Sequence, residues 1–60
     1  MTDYEWALDC LRRDGKITVT FVSRWLRIGY ATSTKICNRL VDEGFAEVQD
    51  GIYVLKEEQA

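Results

Sequence analysis

Residues 26–45, LRIGYATSTKICNRLVDEGF, constrain this chain more than any other stretch. They read as the end of one helix, the turn Ile28-Gly29-Tyr30, and a second helix closed by Gly44. Two helices joined so closely are the geometry of a helix-turn-helix. At 100° per residue Ser33, Ile36, Cys37 and Leu40 share one face of the second helix, and Ala31, Lys35, Asn38 and Asp42 lie opposite. Thr32 and Arg39 stand on the shoulders. Gly29 is expected to take a positive φ.

The flanks extend the pattern. Thr2-Asp3-Tyr4-Glu5 is a capping box, and Tyr4, Ala7, Leu8 and Leu11 follow as an amphipathic stripe. The first helix is therefore expected over residues 3–13, with Gly15 as its stop. Ile17 and Val19 alternate over residues 16–19, a short strand or extended link. Thr20 is a fitting N-cap for a helix over 21–27, with Phe21, Val22 and Leu26 inward. Phe45 can fold back on Leu40 or Val41, and Asp50-Gly51 between two alternating runs signals a hairpin. The expected fold is α+β: a winged helix-turn-helix of three helices, a short strand and a C-terminal β-hairpin wing.

Sixty residues allow one domain and one small core. The domain is expected over 1–56, with 57–60 a frayed acidic tail. The chain begins with Met1 and reads as a complete small protein. Its start, MTDYEWALD, has no basic leader, and no run approaches the roughly 20 apolar residues of a membrane span. A cytoplasmic protein with no membrane contact is expected. Cys10 and Cys37 lack C-x-x-C spacing and there is no histidine, which argues against a zinc site and a disulfide framework. Two buried free thiols is the favoured reading, although one bridge is open in principle. With no histidine, no base beside either cysteine and no Gly-rich phosphate loop, no enzyme, catalytic residue, metal or cofactor is expected.

The net charge of −2 hides an asymmetry. Asp3, Glu5 and Asp9 make the start acidic, and Asp42, Glu43, Glu47, Asp50, Glu57 and Glu58 outweigh Lys56 at the end. Between them Arg12, Arg13, Lys16, Arg24, Arg27, Lys35 and Arg39 face Asp14 alone. Local field, rather than net charge, decides where a polyanion is drawn.

Arg24-Trp25-Leu26-Arg27-Ile28-Gly29-Tyr30 and the helix behind it resemble the gamma domain of the FtsK/SpoIIIE DNA translocases. More loosely, so do the first-helix stripe and the Glu43-Gly44-Phe45 ending. The resemblance implies a winged helix that reads double-stranded DNA. It also departs from that family: Ala31 and Thr32 replace a polar residue and an arginine. Lys35 replaces a second arginine, keeping charge without the bidentate fork that reads guanine. Glu47 and Asp50 make the wing acidic.

In the docking this implies, Thr32, Thr34, Lys35 and Asn38 meet the groove, and Arg24, Arg27, Arg39 and Tyr30 reach phosphates. A regulatory or accessory protein of a phage or mobile element is expected. The rival reading is a protein-interaction module on the same frame. It would use Trp6 and Trp25 to bind a partner protein or a second copy as a homodimer.

Overall fold

Thr2 opens the first helix as its capping box requires. Its Oγ1 accepts from the Glu5 N–H at 3.1 Å, and Glu5 Oε1 accepts from the Thr2 N–H at 3.0 Å. The computed structural model describes residues 2–56, so the expected acidic tail at 57–60 lies outside the described residues. The elements are α1 (Asp3–Asp14), β1 (Lys16–Ile17), α2 (Val19–Leu26), α3 (Tyr30–Asp42), β2 (Ala46–Gln49) and β3 (Ile52–Leu55). Asp3 and Glu5 in the first turn of α1 and Arg12 and Arg13 in its last suit the helix dipole. Gly15 closes α1 at φ 83°, its N–H donating to the Leu11 carbonyl at 2.7 Å.

The second helix starts earlier than Thr20. Its N-cap is Thr18, whose hydroxyl accepts from the Phe21 N–H at 3.1 Å, and the strand before it shortens to Lys16–Ile17. The β-branched run Ile17-Thr18-Val19-Thr20 favours extended backbone by propensity. Ile17 and Thr18 stay extended, but winding Val19 and Thr20 into helix buries Val19 in the core with Val22, and that packing outweighs the propensity. The turn also differs from expectation. Arg27, not Gly29, is left-handed, at φ 57°. Gly29 has φ −66° and ψ 158° and serves as the N-cap of α3. Ser23 fixes the turn: its carbonyl accepts from the Ile28 N–H at 3.2 Å and its hydroxyl donates to the Ile28 carbonyl at 3.0 Å.

α3 packs with Ser33, Cys37 and Leu40 fully buried, and Ile36 is half-buried beside them. Gly44, at φ 87°, ends the helix in a Schellman motif. The Phe45 N–H donates to the Leu40 carbonyl at 2.9 Å and the Gly44 N–H to the Val41 carbonyl at 3.0 Å. Asp50 (φ 53°) and Gly51 (φ 80°) then form the two-residue turn that joins β2 to β3, with Gln49 opposite Ile52. β1 pairs antiparallel with β3, Ile17 opposite Tyr53, so the sheet is three-stranded in the order β1-β3-β2. Ala7, Cys10 and Leu11 of α1 meet Ile17, Val19, Val22, Cys37, Leu40, Ala46 and Tyr53 in one core. Cys10 and Cys37 are both free thiols within it. The result is an α+β fold of three helices and an antiparallel sheet, compatible with a small winged-helix layout.

A left-handed conformation costs an L-residue about 1–2 kcal/mol, and glycine's extra freedom in the unfolded chain costs about 0.5–1 kcal/mol. Arg27→Gly is therefore expected to raise stability by about 0.5–1 kcal/mol, read as a higher urea midpoint at unchanged slope. A lower midpoint would mean that the arginine side chain holds the turn.

Candidate functional site

The N-terminus of α3 is built differently from those of α1 and α2. The latter two are capped by threonine hydroxyls, whereas Gly29 offers α3 no side-chain cap; like α2, α3 has no acidic residue in its first turn. Among the described residues its first N–H groups and the positive end of its dipole therefore have no capping side-chain anion. Around this end the chain places Arg24 in the last turn of α2, Arg27 in the connection and Lys35 in the second turn of α3. All three are exposed, and none takes part in an ion pair among the described residues. Tyr30 is 65% exposed and Ala31 and Thr32 face solvent. Thr34 is half-buried and its hydroxyl is engaged locally, donating to the Tyr30 carbonyl one turn back at 2.9 Å.

The second half of α3 is already engaged. Asn38 Oδ1 accepts from the Tyr53 hydroxyl at 2.9 Å, tying α3 to β3. Arg39 Nε donates to Glu43 Oε2 at 3.0 Å, and its guanidinium lies 4.0 Å over the Tyr4 ring. The Tyr4 hydroxyl donates to the other Glu43 oxygen at 2.6 Å, so the start of α1 is clamped to the end of α3. Burial, followed by this carboxylate bond, pushes Tyr4 up to about 12. The Tyr4 hydroxyl and then Arg39 hold the Glu43 carboxyl below its ordinary range. Of the residues expected at a DNA surface, the structure therefore leaves Arg24, Arg27, Tyr30, Thr32 and Lys35 open and draws Thr34, Asn38 and Arg39 into internal bonds.

The two tryptophans separate in role. Trp6 is half-buried and stacks on Phe21, with ring centroids 5.8 Å apart and planes at 20°. Trp25 also meets Phe21, at 6.2 Å and 53°, yet is 68% exposed. Phe21 is the residue that sequence reasoning missed here. Its spacing of four from Trp25 along one helix was the available signal. A hollow of about 720 Å³ opens beside them, lined by Thr18, Thr20, Phe21, Arg24, Trp25 and Arg27. Burial pushes the Cys37 thiol up to about 11 and raises Cys10 as well, which keeps both protonated and weakly nucleophilic near neutral pH. Among the described residues no helix is long and apolar enough to cross a membrane, and no group of three acidic, cysteine or histidine side chains could hold a metal.

Comparison with protein-family models, with curated proteins and with solved structures finds no match to this chain.

Glu43 titrates lower in the folded chain than its ordinary value of 4.5. Stability from the Tyr4–Glu43–Arg39 cluster is thus present above that value and is lost as pH falls through the folded one. Tyr4→Phe is expected to lower the unfolding midpoint at about pH 7 and to approach wild type at about pH 2, followed by circular dichroism. A deficit unchanged in acid would assign the effect to ring packing alone.

Proposed function

We propose that this chain is a small winged-helix protein that binds double-stranded DNA by docking α3 in the major groove. One observation carries the reading: the uncapped, acid-free N-terminus of α3 accompanied by exposed Arg24, Arg27 and Lys35. In this docking the first turns of the second helix of the pair meet base edges. Thr32 and Lys35 are the side chains there able to reach them, while Arg24, Arg27 and the Tyr30 hydroxyl serve phosphates. Lysine supplies charge without the guanidinium fork, so base discrimination through Lys35 is modest. Exposed Glu47 and Asp50 repel phosphate and hold the β2–β3 hairpin away from the backbone. Few cationic contacts remain, and a single copy binds weakly and with a shallow salt dependence.

Fluorescence anisotropy of a labelled random duplex at about 50 and about 200 mM salt, with protein to tens of micromolar, tests this. Wild type is expected to bind at the lower salt and weaken at the higher. Arg24→Ala and Arg27→Ala are each expected to lessen the logarithmic salt slope by about 1. Arg39→Ala should leave that slope unchanged, because Glu43 already neutralises its guanidinium. No binding at the lower salt would overturn the reading.

A further inference from the structure

The outer face of α2 shares Arg24 and Arg27 with the proposed DNA docking but also carries aromatic features which that docking does not use. Trp25 is the most exposed of the large hydrophobic side chains and lies over Phe21 at the wall of the 720 Å³ hollow. A second hollow of about 410 Å³ shares Thr18 and Phe21 with the first and runs on past Ile17, Ile52, Lys16 and Asp14. Adjoining through Thr18 and Phe21, the two form a trough in which Phe21, Trp25, Ile17 and Ile52 are the apolar side chains among polar ones. Its charged rim is cationic: Arg24 and Arg27 at one end and Lys16 at the other. Among the described residues Asp14 is the single acid lining it, and both its oxygens accept from Arg13 at 3.1 Å, so its charge is neutralised.

We infer that this trough docks an acidic segment of a partner protein, with one bulky apolar side chain seated against Phe21 and Trp25 and its carboxylates on Arg24 and Arg27. Charge complementarity selects this occupant. Pairing of two copies about a two-fold axis through Trp25 would bring Arg24 and Arg27 of both copies together, and like charges at a desolvated contact are costly. A purely apolar segment would leave the arginines facing it without partners. A carboxylate satisfies a guanidinium with two parallel hydrogen bonds, and an exposed tryptophan beside an arginine is the composition that dominates binding energy at protein interfaces. Phe21 is stacked on Trp6, so its ring is held in place before anything binds.

The test uses a synthetic peptide of Asp and Glu with one central Leu, titrated into isotopically labelled protein and followed by amide and indole shifts. Saturable shifts confined to residues 14–27 and the neighbourhood of Ile52 are expected. They should weaken about tenfold or more in Trp25→Ala, a surface change that leaves the core intact, and when the peptide's Leu is replaced by Ser. A lysine-for-acid version of the peptide should not bind. Absence of saturable shifts overturns the inference, and so do shifts that survive Trp25→Ala. The same variant is measured on the random duplex. Unchanged duplex affinity is expected, and a loss there equal to the peptide's would assign the face to nucleic acid instead. The peptide result stands or falls independently of whether wild type binds duplex.

Discussion

The Ser33 hydroxyl, fully buried, donates to the carbonyl oxygen of Val19 at 2.8 Å, and much of the molecule is arranged around that bond. A small side chain at this point of α3 lets the first turn of α2 approach closely. A buried hydroxyl must find an acceptor, and the Val19 carbonyl of α2 supplies it. The bond therefore fixes how far α2 slides along α3. That in turn sets which side chains reach the core: Val19 and Val22 go in, Phe21 packs half-buried at its edge, and Arg24 and Trp25 are left to the outer face. Both the cationic end of α3 and the aromatic trough of α2 follow from this one register.

Small size raises the stakes of each such contact. A chain of 60 residues buries only about 60% of its unfolded surface, so secondary fastenings carry weight. The Tyr4–Glu43–Arg39 cluster joins residues 39 apart in sequence, and the Asn38–Tyr53 bond ties the helix layer to the sheet. These fastenings use polar side chains that would otherwise face solvent on α3. The helix is thereby divided: its beginning is free to meet a ligand and its end is part of the scaffold.

Much of this was legible in the residues. The capping box at Thr2, the glycine stops at Gly15 and Gly44, the return of Phe45 and the Asp50-Gly51 hairpin all rest on local rules that nothing distant overrides. The misreadings share a cause in tertiary packing. Thr18 and Thr20 are equally good caps in isolation, and burial of Val19 decides between them. Glycine at 29 suggested a left-handed turn, but the Ser23 bonds to Ile28 put that conformation on Arg27. Arg39 and Asn38 sit on the outward side of the helix wheel, as periodicity requires, yet partners far along the chain claim them. Periodicity gives direction on a helix and is silent about what waits there. The same limit hid Phe21, whose meaning comes from Trp6 on another helix.

The strand order β1-β3-β2 places the last element in the middle of the sheet. During synthesis, every earlier element emerges before the strand that both β1 and β2 need. The nascent chain can wind its three helices and close the turn between α2 and α3, but it holds two unpaired strands until Ile52–Leu55 leaves the ribosome. A message cut short by even a few codons within that strand would yield a helical remnant with open strand edges, a natural substrate for proteolysis.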